Sequence, residues 1–159
     1  MTMITIENIV LHPEIGPTLA RWHVAFWADL YENWTEAAAV QEFAQMKQDS
    51  VPMTLVAVEH TDTEYRVVGS VSLFEDDDLP GFDHLTPWLG SLYVVPEARG
   101  NGVGEQLILA MLAEAFRLHY RSVYLFTPEN QEYYEQRGWN RVTEAEAHGH
   151  PVTVMSHSV

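Results

Sequence analysis

The spacing of apolar residues changes along the chain, and each change predicts a different element. Residues 2–11 alternate, with β-branched residues among them, which predicts a first strand. A helix is predicted to open at Pro13 and Pro17, because apolar residues then recur every three or four positions. Its inner face is predicted to hold Leu19, Trp22, Phe26 and Leu30. Thr35 and Glu36 predict the start of a second helix, whose apolar positions are Ala38, Phe43 and Met46.

The middle of the chain reads as three strands. Residues 53–59 and 66–74 are rich in Val and Leu and flank a polar turn at residues 60–64, which predicts a hairpin. Residues 75–81 are acidic and end in Pro-Gly, as loops do. A further strand is predicted over residues 88–95, before Pro96.

The period then changes to that of a helix. Residues 104–119 carry an apolar stripe typical of an amphipathic helix. The stripe consists of Leu107, Ile108, Met111, Leu112, Ala115 and Phe116. The elements predicted after this helix are a strand at 122–126, a short helix at 128–137 stopped by Gly138, and a closing pair of strands at 139–143 and 152–155. This order predicts one α/β sandwich domain over residues 1–159, with a parallel βαβ unit at its centre.

Composition excludes several classes of protein. The chain has 159 residues, 47% of them hydrophobic, and 11% of them aromatic, so it can bury a core and is not disordered. It has no cysteine, which excludes a disulfide scaffold, a thiolate zinc site and a catalytic thiol. No apolar run reaches the length of a membrane span, and the first twenty residues lack the pattern of a signal peptide. We therefore predict a cytoplasmic protein.

The net charge of −15 is unevenly distributed along the sequence. Residues 99–141 contain five arginines and five glutamates, so they are neutral overall, and the rest of the chain carries all the net negative charge. Such acidity argues against binding nucleic acid or an anionic membrane, because both need clustered Lys and Arg. One part of the chain can accept an anion, while the rest favours cations.

A glycine-rich segment joins the strand at 88–95 to the helix at 104–119. Gly100, Gly102 and Gly104 alternate with other residues, so that backbone N–H groups and the following helix start can cradle a phosphate. The spacing G-x-G-x-G differs from the dinucleotide fingerprint, and Glu105 stands where a P-loop has lysine. A turn with no ligand is the alternative.

Two motifs resemble those of the GNAT superfamily of acetyl-CoA-dependent N-acetyltransferases. The first is Leu-Tyr-Val-Val-Pro-Glu-x-Arg-Gly-x-Gly-x-Gly at residues 92–104, which is similar to the pyrophosphate motif of that family. The second is Tyr-Tyr-Glu-x-x-Gly-Trp at residues 133–139, which resembles its C-terminal motif. The resemblance implies a mixed, mostly antiparallel sheet with helices on both faces and a splayed pair of strands at the central parallel βαβ.

The resemblance also implies which residues bind acetyl-CoA. The glycine turn and helix start would hold the CoA pyrophosphate, and the main chain of the preceding strand would contact the pantetheine and acetyl groups. Thr127 stands where relatives commonly have an asparagine for the pantetheine arm, with Asn130 nearby. The predicted acetyl-CoA-binding residues are Leu92, Tyr93, Val94, Arg99, Gly100, Asn101, Gly102, Val103, Gly104, Glu105, Thr127, Asn130 and Tyr133.

Acetylation of an amine requires a proton acceptor for the amine and a proton donor for the departing thiolate. By resemblance, Tyr134 is the general acid, since tyrosine stays protonated at neutral pH. Many relatives carry a carboxylate on the strand before the glycine turn, but Gly90 and Ser91 stand there in this sequence. We therefore predict a base acting through water and choose Glu75 and His84 as its candidates, with Asp83 as a further one.

The acceptor is predicted from charge and aromatic content. Acidic walls and aromatic faces both attract ammonium groups, so we expect a small cationic amine as acceptor. No metal is expected, because the histidines lack metal-site spacing and there is no cysteine. The alternatives are a non-catalytic acyl-CoA-binding or regulatory module and an acetyltransferase of protein N-termini or lysines. A homodimer is left open.

Overall fold

The computed structural model describes residues 2–159 and contains one seven-stranded sheet with four α-helices. The strands are β1 Met3–Asn8, β2 Met53–His60, β3 Tyr65–Phe74, β4 Trp88–Val94, β5 Ser122–Thr127, β6 Asn140–Ala147 and β7 His150–Ser158. The helices are α1 Gly16–Phe26, α2 Glu36–Ala44, α3 Val103–Arg117 and α4 Gln131–Glu135. None of the helices formed by residues 2–159 has the length and apolarity needed to cross a bilayer.

The strand order in the sheet is β1-β2-β3-β4-β5-β7-β6. Neighbouring strands are antiparallel except β4 and β5, which α3 connects in parallel. Between residues 2 and 159, these two strands share one bridging pair, Trp88 with Tyr124, and β4 separates from β5 beyond it. The predicted fold class is thus confirmed, including the central parallel unit and the splayed pair.

Helices cover both faces of the sheet because side chains alternate along each strand. On β2, Leu55 and Ala57 pack into the larger core with α3, whereas Val56 and Val58 face α1 and α2. Strand β2 is therefore buried on both sides, as its unbroken apolar run requires.

A β-bulge interrupts β4 next to the splay. Ser70 pairs with Tyr93, while Ser72 pairs with Gly90, so two residues of β4 face one residue of β3. Ser91 lies within the bulge and has a positive φ of 55°. The bulge bends β4 where it leaves β5.

Three predicted details were wrong. Strand β1 ends at Asn8, whose side chain accepts a 2.9 Å hydrogen bond from the Val10 N–H and starts a short 3-10 helix. Helix α1 ends at Phe26, which is 56% exposed, and Leu30 lies beyond it, so these two residues do not form its inner face. Phe116 of α3 is 68% exposed and lies off the apolar stripe. The two errors in helices come from apolar residues at helical spacing near a helix end, where the core no longer covers them.

Candidate active site

A cleft of about 560 Å³ opens where β4 leaves β5. It brings together the exposed ring of Phe26 at the end of α1, the second half of β4 and the start of α3. Most of the predicted acetyl-CoA-binding residues line it. Its lining consists of Phe26, Leu92, Tyr93, Val94, Ala98, Arg99, Gly100, Gly102, Val103, Gly104, Glu105, Tyr133 and Arg137.

The glycine turn forms one end of this cleft. Gly100 and Gly102 have φ of +81° and +79°, which side-chain-bearing residues rarely adopt, and a Cβ on either would meet no atom within 4 Å. Gly102 caps α3, whose first N–H groups have no acceptor within the helix. The turn is therefore open towards the cleft at the positive end of a helix dipole, which is the geometry that binds phosphate.

Two arginines flank the mouth of the cleft. The Arg99 Nε donates a 2.8 Å hydrogen bond to the Val94 carbonyl, so that this main-chain acceptor is already paired. The Arg137 guanidinium lies 3.7 Å from the centre of the Tyr133 ring, and its Nε is 3.9 Å from a Glu105 carboxylate oxygen. Both guanidinium groups are held in place without losing their charge, as a polyanionic ligand would need.

The two tyrosines of α4 lie in different surroundings. Tyr133 lines the cleft, and a Cβ on Gly104 would lie 3.6 Å from its hydroxyl. Tyr134 is 9% exposed and packs in the core against Trp139, with ring centroids 5.9 Å apart. Burial raises the pKa of Tyr134 to about 12, so its hydroxyl stays protonated at every physiological pH.

Thr127 and Asn130 lie beside α4, outside the lining of the cleft. Thr127 is buried, and its Oγ1 accepts a 3.1 Å hydrogen bond from the Asn130 N–H. Asn130 is exposed and belongs to a separate hollow, whose walls include Glu132, Arg141 and Glu144. The structure thus does not bring Asn130 to the glycine turn.

The acidic loop between β3 and β4 reaches the bulge from the other side. Asp77 is partly buried against β4, and a Cβ built on Gly90 would lie 3.0 Å from its Oδ2. Burial, together with the charges of Asp78 and Asp76, raises the pKa of Asp77 to about 7. A carboxylate therefore occupies the space that the missing side chain of Gly90 leaves.

Two other loops meet the acidic loop. Tyr31, which follows α1, has a raised pKa because it is partly buried and because the charges of Asp77, Asp78 and Glu42 disfavour its ionised form. The ring of His148, in the β6–β7 turn, stands edge-on to the Tyr31 ring, with centroids 4.7 Å apart. These loops form an acidic and aromatic region on the side of the bulge away from the glycine turn.

The candidate bases chosen from sequence lie at the surface. Glu75, Asp83 and His84 are exposed. The Glu75 backbone carbonyl accepts a 2.8 Å hydrogen bond from Thr86, and the His84 ring stacks against Phe82 at 6.3 Å. Within residues 2–159, no three His, Asp or Glu side chains converge as metal ligands would.

Sequence reasoning missed His23 and Asp77. His23 is fully buried on α1 and stacks on Trp27 with ring centroids 4.9 Å apart, and its Nε2 lies 3.0 Å from the Ser70 Oγ. Burial lowers the pKa of His23 to about 4, so it is neutral at pH 7. The available signal was its spacing of four from Leu19. For Asp77, the signal was the empty position at Gly90 together with a nearby loop rich in carboxylates.

Comparison with known proteins agrees with this geometry. Residues 19–139 match the model of the acetyltransferase (GNAT) family. An aminoglycoside 6'-N-acetyltransferase complexed with coenzyme A superposes with a TM-score of 0.72 at 15% identity, over 98% of this chain and 96% of that chain. A putative phosphinothricin N-acetyltransferase gives 0.66 at 19% identity, over 99% of each chain.

A third structure is N-acetylglutamate synthase from Neisseria gonorrhoeae, complexed with coenzyme A and N-acetyl-glutamate. It gives a TM-score of 0.65 at 14% identity, over 98% of this chain and 35% of that chain. A search of curated protein sequences found no match. Fold, cleft and family match together define an acyltransferase. The chain belongs to the GNAT acetyltransferase family.

Proposed function

We propose that this enzyme transfers an acetyl group from acetyl-CoA directly to a primary amine of a small cationic acceptor. The observation that carries the proposal is the splay of β4 from β5, which leaves a cleft with a phosphate-binding turn at one end. The acidic loop contacts β4 at Gly90, two residues before Leu92 of the cleft. An anionic donor and a cationic acceptor can enter such a cleft from opposite sides.

On the donor side, the glycine turn suits the CoA pyrophosphate. Backbone N–H groups of residues 100–104 and the start of α3 would bind it, with Arg99 and Arg137 adding positive charge at the mouth. Leu92 and Tyr93 would contact the pantetheine arm, as would Val94 through groups other than its paired carbonyl. Tyr133 closes this wall of the cleft. The structure of the aminoglycoside 6'-N-acetyltransferase with coenzyme A supports a CoA ligand for this fold.

On the acceptor side, charge supports a cationic amine. Asp77 and Asp78 lie close enough to Tyr31 to raise its pKa, and the Asp77 carboxylate lies against Gly90 next to the bulge. Ammonium groups are attracted to both carboxylates and aromatic faces. The fold alone leaves the acceptor open, since N-acetylglutamate synthase shares it, and therefore the walls of this chain's own site carry the argument.

The reaction needs one bond formed and one broken. The neutral amine nitrogen attacks the thioester carbon and forms the N–C bond, and the C–S bond breaks. The nitrogen releases one proton as the amide forms, and the sulfur takes one to become the CoA thiol, so that the proton donor is restored. We propose Tyr134 as the donor of that proton, supported by its motif and its protonated hydroxyl. The sequence has no cysteine, so no thioester with the enzyme can form.

The test is a measurement of CoA thiol release over a panel of amines, together with a thermal shift on acetyl-CoA alone. We expect a thermal shift and turnover with polyamines or aminoglycosides, at higher kcat/KM than with neutral or anionic amines. A thermal shift without turnover on any amine would identify a binding module instead. Turnover with peptides only would identify an acetyltransferase of protein N-termini or lysines.

A further inference from the structure

We propose that Asp77 is the general base of this enzyme, and that the loop before β4 thereby supplies a carboxylate that the strand itself lacks. The inference rests on the proposed amine acetylation. It names Asp77 as the group that accepts the proton which the acceptor ammonium must lose before its nitrogen can attack.

The first argument is the fit between Asp77 and Gly90. A Cβ on Gly90 would lie 3.0 Å from the Asp77 Oδ2 and 3.4 Å from the Phe74 ring, so any side chain there would compete with the carboxylate for the same space. Gly90 has no positive φ, and its lack of a side chain is therefore explained by this contact and not by backbone conformation. The loop and the strand are complementary at this point.

The second argument is the position of this contact along β4. Gly90 directly precedes Ser91 in the bulge, and Leu92, which lines the cleft, is two residues further. At about 3.3 Å per residue, roughly 7 Å of strand separates Gly90 from Leu92. The carboxylate at Gly90 thus lies two residues from the lining of the cleft, and an amine that enters between Gly90 and Leu92 can meet it directly or through one water.

The third argument is the surroundings of the carboxylate. Asp77 is largely enclosed, retains some exposure, and receives no hydrogen bond from any group in residues 2–159. The charges that act on it are Asp76 and Asp78 on its own loop. Tyr31, after α1, lies within reach of the Asp77 charge and is itself next to Glu42 on α2 and His148 in the β6–β7 turn. Within residues 2–159, no cation pairs with this carboxylate. Both its protonated and its ionised form are therefore populated near neutral pH.

The surface carboxylates and histidine of the same region do not share this placement. Glu75, Asp83 and His84 are exposed, and the three atoms nearest to a Cβ on Gly90 belong to Asp77 and Phe74 and not to them. Of the candidates near β4, Asp77 alone is held against the strand within the described residues 2–159.

The experiment compares pH–rate profiles of the wild type and the variant Asp77→Asn with one cationic amine that the wild type acetylates. In the wild type, kcat/KM falls below about pH 7, because the carboxylate takes up a proton and can no longer act as base. In Asp77→Asn, we expect kcat/KM at pH 8 to be lower by about 10²-fold or more. We also expect the decrease of kcat/KM below about pH 7 to disappear. Acetyl-CoA binding, measured by thermal shift, stays at the wild-type value and shows that the variant is folded.

Two matched variants separate a base from a structural role. Asp76→Asn removes an exposed charge from the same loop, and its side-chain oxygen can still accept the 3.0 Å hydrogen bond from the Asp78 N–H, so we expect the plateau rate to be retained. Asp78→Asn removes a charge that raises the pKa of Asp77, so we expect the acidic limb to move to lower pH. A purely structural carboxylate would not move that limb.

A rescue variant moves the carboxylate onto the strand. Asp77→Ala combined with Gly90→Glu places a carboxylate on β4 itself and frees the space that it needs. We expect at least a tenfold gain in kcat/KM over Asp77→Ala alone. An unchanged acidic limb in Asp77→Asn would overturn the proposal, as would its loss in Glu75→Gln or His84→Ala instead. Failure of the wild type to acetylate any amine would refute the proposed function itself, which is a distinct result.

Discussion

The rings of Tyr133 and Tyr134 stand perpendicular to each other, with centroids 5.1 Å apart. The hydroxyl groups of these adjacent residues of α4 therefore lie in different surroundings. Tyr133 faces the cleft under the Arg137 guanidinium, whereas Tyr134 is buried beside Trp139. Successive residues of a helix point about 100° apart, which is why adjacent tyrosines separate in this way. Replacing each in turn distinguishes binding from proton donation.

Removing the Tyr134 hydroxyl should lower kcat, because the departing thiolate loses its proton donor. We expect Tyr134→Phe to reduce kcat by about 10²-fold with little change in the KM for acetyl-CoA. Tyr133→Phe should instead raise the KM for acetyl-CoA a few fold and leave kcat near that of the wild type. Steady-state kinetics of both variants test the assignment, and the reverse pattern would transfer the role of acid to Tyr133.

Gly102 should be required for acetyl-CoA binding as well as for its turn. Alanine at φ of +79° costs about 1–2 kcal/mol of stability, and its methyl group would project into the open space above the turn. We expect Gly102→Ala to reduce the thermal shift produced by acetyl-CoA. Gly149→Ala is a matched control, since Gly149 also has φ of +79° and open space around it, but lies in the β6–β7 turn. Equal losses in both variants would contradict a binding role for the glycine turn.

His23 should make the protein less stable in acid. Burial lowers its pKa to about 4, against the usual 6.5, so the unfolded chain takes up the proton first as the pH falls. The stability linked to neutral His23 is present above about pH 6.5 and decreases as the pH falls towards 4. Its share of the loss between pH 8 and pH 5 is roughly 2 kcal/mol.

Chemical denaturation of wild type and His23→Gln at both pH values measures that share. Other titrating groups contribute alike to both proteins, so the difference between their two pH dependences isolates His23. The wild type should lose about 2 kcal/mol more than the variant. Parallel pH dependences would show that His23 is already protonated in the folded protein.

The acidic loop should make acceptor binding sensitive to salt. Exposed charges are screened over about 10 Å at 0.1 M salt, so attraction of a cationic amine weakens as ionic strength rises. Between about 0.02 M and about 0.5 M NaCl, we expect the KM for a polyamine to rise severalfold, while the KM for a neutral amine changes little. Kinetics with one amine of each kind provide the comparison, and equal salt dependence would argue against a cationic acceptor.

Much of the fold could be predicted from local patterns. The strand expected at 53–59 is found at Met53–His60, and the helix expected at 104–119 is found at Val103–Arg117. Periodicity is reliable there because a whole face of each element is buried. It failed for Phe26 and Phe116, because helix ends extend past the core. The exposed ring of Phe26 is explained by the cleft, which it helps to line.

The grouping of the glycine turn with the end of β4 was also predictable, since these residues are nearly consecutive in sequence and glycines impose the conformation of the turn. Ten of the residues expected there line one cleft, namely Leu92 to Val94, six of residues 99–105, and Tyr133. The contact of Asp77 with Gly90 could not be predicted in the same way. It joins a loop to a strand thirteen residues later, and no periodic pattern specifies how an irregular loop returns to the sheet.

The single bridge between Trp88 and Tyr124 also has a mechanical consequence. Within residues 2–159, strands β1 to β4 meet strands β5 to β7 in the sheet at that one bridge, and α3 connects β4 to β5 along the chain. A donor molecule bound in the cleft would contact β4 on one side and, on the other, Tyr133 and Arg137, which follow β5 in the chain. Binding of acetyl-CoA would therefore hold the two sets of strands together. We expect amide hydrogen exchange in the parts of β4 and β5 that follow Trp88 and Tyr124 to slow in both strands when acetyl-CoA is added.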